Sequence, residues 1–129
     1  MWQYVTDVSV AGMRLDANQL STICLRLSSL TQLRSLRLSN NIVDLTSDKD
    51  SDGIGLRALQ ALLSALPALR RLDLSDVCLT GRLGDILTSI GSVQPVFHLE
   101  LSRHWLNRHD LAALHRFQQQ KNVVIQWRN

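Results

Sequence analysis

Aromatic residues are scarce in this chain of 129 residues: three tryptophans, one tyrosine and two phenylalanines make up 5% of it. So few rings cannot fill its interior, and the core must be aliphatic. Cysteine is rarer still, with Cys24 and Cys78 far apart and each within an apolar stretch. That excludes the disulfide framework of a small secreted domain and a zinc site built on cysteine pairs. It favours an intracellular, cytoplasmic setting in which cysteine acts as a small buried hydrophobe. No apolar run approaches the roughly 18 residues of a membrane span. The start of the chain lacks the basic and apolar segments of a signal peptide. Neither sign of charge dominates, with 14 Lys+Arg against 11 Asp+Glu and a net charge of +3. The basic residues are scattered rather than striped among aromatics, so neither nucleic acid nor membrane is an expected partner. Catalytic signatures are missing too: there is no GxSxG, P-loop or HExxH. The chain is not expected to be an enzyme or to carry a cofactor.

What is present is leucine at a fixed spacing. In Leu69, Leu72, Leu74 and Leu79, apolar residues occupy positions 1, 4, 6 and 11 of an eleven-residue frame. Leu72 and Leu74 alternate with Arg71, Asp73 and Ser75, the period of a strand with one apolar face. The frame recurs from Val5 (with Val8, Val10 and Leu15), from Leu33 (with Leu36, Leu38 and Val43) and from Val96 (with Leu99, Leu101 and Leu106). A truncated copy closes the chain with Ile125 and Trp127 at positions 4 and 6. The starts at Val5, Leu33, Leu69 and Val96 are 28, 36 and 27 residues apart. The long interval holds an eight-residue polar tract, 46–53, and without it the period is restored.

Between strands the period becomes helical. Leu20, Ile23, Leu27 and Leu30 form one stripe, with Asp16 and Gln19 spaced as a capping box. Leu56, Leu59, Leu63 and Leu66 form the next, stopped by Pro67. Leu83, Ile86, Leu87 and Ile90 form a third, with Gly91 and Pro95 as stop signals. Leu111, Leu114 and Phe117 form the last, begun near Asn107 or His109 with Asp110 in the first turn. The expected fold is α/β: a single domain, 1–129, of strand–helix units 5–32, 33–68 with insertion 46–53, 69–95 and 96–121, then a terminal strand, 122–129. Strands stack at roughly 4.8 Å and helices at 8–10 Å. The array must therefore curve, with its parallel sheet concave and its helices convex.

The pattern L-x-x-L-x-L-x-x-N-x-L, carried most fully by Leu33, Leu36, Leu38, Asn41 and Val43, resembles the leucine-rich repeat family. The period of about 28 residues with an amphipathic helix is similar to the ribonuclease-inhibitor-like subclass, also found in NLR receptors. The resemblance implies a right-handed solenoid and a protein-recognition role, as in immune sensors, ubiquitin-ligase substrate receptors and scaffolds. It also implies that the asparagine at position 9 bonds the backbone of adjacent turns. Only Asn41 supplies one; Met13, Val77 and His104 stand elsewhere, so this ladder is interrupted.

Side chains at positions 2, 3, 5, 7 and 8 of each frame are expected to face out of the concave side, aligned strand to strand. Position 7 reads Ala11, Ser39, Ser75 and Ser102; position 8 reads Gly12, Asn40, Asp76 and Arg103. Arg34, Arg37, Arg70 and Arg71 gather on two adjacent strands, with Asp73 beside them and Phe97, His98, Glu100 and Arg103 on the next. Arginine beside an exposed aromatic is the composition of an interface hot spot, here for an acidic or carboxylate-bearing protein segment. The plainer alternative is a solvated sheet face with Arg37 paired to Asp73 and Arg71 to Asp73 or Asp76.

Asp48, Asp50 and Asp52 before Gly53 begin like a calcium loop, but the twelfth position is Leu59 where a bidentate glutamate belongs. This leaves at most a weak calcium site in what reads more simply as an acidic insertion. His98, His104 and His109 share one unit without converging, and no metal site is assigned to them. Cys78 reads as core, Trp105 as a turn residue over the core edge, and Trp127 as core of the last strand. The polar stretch 118–122 reads as a finished end. At the other end, Trp2 and Tyr4 either cover the first strand or leave an edge prone to self-association. That second case suits the C-terminal part of a longer protein, whose units would be structural caps with no partner of their own.

Overall fold

The computed structural model describes residues 4–41, 44–45, 53–90, 97–102, 105–120 and 122–128. Strands and helices alternate: β1 (Asp7–Ser9), α1 (Ala17–Leu27), β2 (Ser35–Arg37), α2 (Ile54–Ser64), β3 (Arg71–Asp73), α3 (Leu83–Thr88), β4 (Phe97–Ser102), α4 (Arg108–Gln120) and β5 (Val123–Arg128). The strands form one parallel sheet in the order β1-β2-β3-β4-β5. Each helix packs on the next, α1 on α2, α2 on α3 and α3 on α4.

The register follows the leucine frame. Val8, Leu36, Leu72, Leu99 and Ile125 are paired in succession across all five strands. Leu36, Leu72 and Leu99 are fully buried beneath Leu33, Leu69 and the helix leucines Leu59, Leu62, Leu63 and Leu83. Each leucine removed from water contributes about 2 kcal/mol, which is why an almost wholly aliphatic core suffices. Among the described residues the core holds one ring pair, Phe97 edge-on to Phe117, centroids 6.3 Å apart.

The helix starts differ. Asp16 caps α1 as its spacing predicts: its carboxylate accepts from Gln19 N (2.8 Å) and the Gln19 amide oxygen accepts from Asp16 N (3.0 Å). The α2 stripe holds, but that helix ends at Ser64, ahead of Pro67. In α3 the helix is only six residues, and Ile90 is buried beyond its end; Gly91 and Pro95 lie outside the described residues. Asn107, rather than His109, starts α4, its side-chain oxygen accepting from Asp110 N at 2.9 Å. Leu111, expected in the α4 stripe, is 49% exposed, and Asp110 is buried instead. Trp127 is half-buried against the core, Cys78 half-buried, Trp105 partly exposed, and Tyr4 too exposed to cover the first strand. Trp2 lies outside the described residues.

Candidate binding face

The sheet face turned away from the helices carries two complete rows. Asp7, Ser35, Arg71, His98 and Val124 are paired across it, and so are Ser9, Arg37, Asp73, Glu100 and Gln126. The β5 members of these rows, Val124 and Gln126, are exposed. They are found by continuing positions 3 and 5 of the frame into its truncated last copy.

Arg34 and Arg70 stand one residue before β2 and β3, so they line the rim at the N-terminal ends of the strands. Both are exposed, as is Arg71 on β3. Their backbones are fixed together: the Arg34 carbonyl accepts from Arg70 N (2.7 Å) and Arg71 N (2.9 Å), and the Arg70 carbonyl accepts from His98 N (2.7 Å). Among the described residues none of the three arginines has an ion-pair partner. Arg37 differs, with its Nε 3.4 Å from Asp73 Oδ2. The ion pairs proposed between Arg71 and Asp73 or Asp76 do not form.

Asp73 is not a displayed group. It is buried, held by Arg37 and by the Ser75 N–H, which its Oδ1 accepts at 2.9 Å. Phe97 is not an exposed anchor either. It is fully buried, because β4 begins at Phe97 and alternation then turns Phe97, Leu99 and Leu101 to one side, toward the helices. Position 2 shares the parity of positions 4 and 6, so it faces outward only where the strand has not yet begun, as at Arg34 and Arg70. Ser39, Ser75 and Ser102 at position 7 are buried as well, their small side chains leaving no surface to display. His98 and Glu100 are half-buried. Two atoms there, Ser75 Oγ and His98 Nδ1, are buried with no hydrogen-bond partner. Arg103 and the candidate calcium ligands Asp48, Asp50 and Asp52 lie outside the described residues, as does His104.

Position 8 is exposed at Gly12, Asn40 and Asp76, and it is also a backbone device. Gly12, Asn40 and Asp76 are all left-handed, at φ 69°, 58° and 58°. Gly12 N donates to the Ser39 carbonyl (3.0 Å) and Asn40 N to the Ser75 carbonyl (3.1 Å), so each turn hangs on the next strand. Glycine, asparagine and aspartate are the residues that tolerate this conformation, a signal already readable in the sequence.

Asn41 occupies a buried pocket among turns. Its Oδ1 accepts from Leu15 N at 3.0 Å, and its Nδ2 donates to the carbonyls of Val10 (3.0 Å) and Leu38 (2.8 Å). Burial pushes the Cys24 thiol up to about 12, which keeps it protonated and unreactive at neutral pH. Among the described residues no three His, Cys, Asp or Glu side chains gather where they could hold a metal. Nor, among those residues, is any helix long and apolar enough to cross a membrane.

No family model, curated protein or solved structure matches the chain.

Proposed function

We propose that the chain is a leucine-rich-repeat-type solenoid, of the ribonuclease-inhibitor-like kind, whose open sheet face docks an acidic segment of a partner protein. The observation that carries this reading is the cluster of Arg34, Arg70 and Arg71. These are three exposed cations on one hydrogen-bonded stretch of backbone, with no ion-pair partner among the described residues, while the neighbouring Arg37 is matched by a buried aspartate. A merely solvated face needs no such concentration of one sign, because like charges on adjacent strands repel. The equal frame positions paired across five strands support the repeat reading. The role is binding and not catalysis, with no cofactor, in an intracellular setting.

The decisive experiment compares affinity capture by the wild type with capture by Arg34→Glu/Arg70→Glu, using Arg116→Glu on α4 as a control of the opposite face. The expected result is loss of at least about nine tenths of the specifically captured protein in the first variant only, at unchanged melting temperature. Unchanged capture by the double variant defeats the reading.

A second reading, structural stacking, is favoured by one observation. Val5, Val8, Leu25, Leu27 and Leu30 line a groove of about 650 Å³ at the β1–α1 edge, with Leu25 78% exposed. This edge would stack on a further strand–helix unit or on a second copy. Sedimentation discriminates: concentration-dependent association abolished by Leu25→Asp, with capture through the arginines absent, favours stacking.

A further inference from the structure

The three rim arginines specify more than an acidic partner. Neighbouring parallel strands lie about 4.8 Å apart, so the stems of Arg34 and Arg70 are adjacent, and Arg71 follows directly in the chain. Their main chains are tied by the hydrogen bonds from Arg70 N and Arg71 N to the Arg34 carbonyl, which fixes the spacing of the three residues. All three are arginine, whose planar fork binds oxyanions with two parallel hydrogen bonds where lysine offers a point charge. Three uncompensated cations this close repel one another. A carboxylate brings a single negative charge and two oxygens, too few to satisfy three forks. A phosphate monoester brings a charge of about −1.5 to −2 at pH 7 and three strong acceptor oxygens. Of the carboxylates around the arginines, Asp73 is taken by Arg37, and among the described residues none of Asp7, Asp76 and Glu100 forms an ion pair with Arg34, Arg70 or Arg71.

We infer that the Arg34–Arg70–Arg71 rim binds a phosphate monoester dianion, so that the docked segment is a phosphorylated one. This deepens the docking reading and rests on it. The phosphoryl group would sit at the N-terminal ends of β2 and β3. The segment beyond it would run along the row Ser35, Arg71, His98 and Val124, past the half-buried His98 and onto the exposed Val124.

The test uses two capped alanine pentapeptides, one with phosphoserine and one with glutamate at its centre. Each is titrated into the whole chain at fixed ionic strength, because contacts between exposed charges are screened by salt. Arginine Nε–Hε signals are followed by NMR. The phosphoserine peptide is expected to bind at least about tenfold more tightly than the glutamate peptide, shifting Arg34, Arg70 and Arg71 together. Arg34→Ala/Arg70→Ala is expected to remove that preference, and Arg116→Ala to keep it. Three results overturn the inference: equal affinity for the two peptides, no binding of the phosphoserine peptide, or an undiminished preference in the double variant. Glutamate-peptide binding at the same arginines with no phosphate preference removes the inference and leaves the docking reading standing. The docking reading falls separately, by unchanged partner capture after charge reversal.

Discussion

Two buried polar side chains tie the molecule together at opposite ends, one through an amide and one through a carboxylate. Toward the β1–β2 end, Asn41 takes the Leu15 N–H on its oxygen and gives its amino protons to the carbonyls of Val10 and Leu38. Toward the α3–α4 end, Asp110 takes three N–H groups: Gly81 at 2.8 Å and Asn107 at 2.9 Å on Oδ2, and Leu83 at 3.1 Å on Oδ1. The turns around Asn41 present both orphan donors and orphan carbonyls, so the tie must donate and accept. The starts of two helices present only donors, so an acceptor-only group serves there. The difference shows why the polar tie does not repeat along the chain while the leucines do. Apolar burial is non-directional and accepts the same residue in every unit. A polar tie has to match the particular backbone groups that its own loop leaves unpaired.

The sharpest way to break the comparison is to exchange the two chemistries. Asn41→Asp places a buried carboxylate against two carbonyls and is expected to cost about 3–5 kcal/mol at pH 7. The introduced group would have its folded-state pKa raised above its unfolded value of about 4. The folded form then holds its proton more tightly, so the deficit relative to wild type should shrink as pH falls through that raised pKa. Urea denaturation at pH 7 and at mildly acidic pH checks both magnitude and sign. A deficit independent of pH would mean that the side chain had swung out to solvent.

At the other end, Asp110→Asn keeps the shape but sets an amino group against at least one N–H. It is expected to cost about 2–3 kcal/mol, and Asp110→Ala more. A domain of this size has roughly 5–15 kcal/mol in total, so either loss is readily seen in the denaturation midpoint. Hydrogen exchange sharpens the assignment: the amides of Gly81, Leu83 and Asn107 should lose protection first. Equal loss throughout the sheet would reduce Asp110 to a general packing residue.

The smallest effect comes from the turns that do repeat. Asn40→Ala and Asp76→Ala put a Cβ without a compensating polar group into a left-handed backbone, at about 1 kcal/mol each, whereas glycine at either site is expected to be near neutral. Urea midpoints of the four variants decide this. A penalty equally large for glycine would show that the Asn40 and Asp76 side chains, rather than the backbone conformation, matter.

The frame was readable because its signal is local. Equal spacing of Val8, Leu36, Leu72, Leu99 and Ile125 within their strands is enough to align them, and the Asp16–Gln19 capping box lies within one helical turn. The candidate face was readable in part. Arg71 is displayed as its position suggests, Arg34 and Arg70 are displayed because β2 and β3 start one residue after them, and Arg37 finds Asp73. Phe97 and Asp73 are not displayed. Strand alternation alone, applied strictly, puts Phe97 with Leu99 and Leu101. The burial of Asp73 had no local sign, because it depends on Arg37 of the neighbouring strand.

By itself, then, the sequence determined where strands and helices alternate and which leucines share a layer. Through glycine, asparagine and aspartate it also carried a signal for the left-handed turns at Gly12, Asn40 and Asp76, though none for the one at Arg14. Tertiary structure decided the fate of the polar groups. Asn41 meets Leu15 from 26 residues away and Asp110 meets Gly81 from 29. The arginines of the rim come together only because Arg34 and Arg70, on separate units, are joined through one backbone carbonyl. Apolar residues need only somewhere dry, and their spacing already says where that is. A charge or an amide needs a specific partner at about 3 Å, and only the folded chain brings that partner to it.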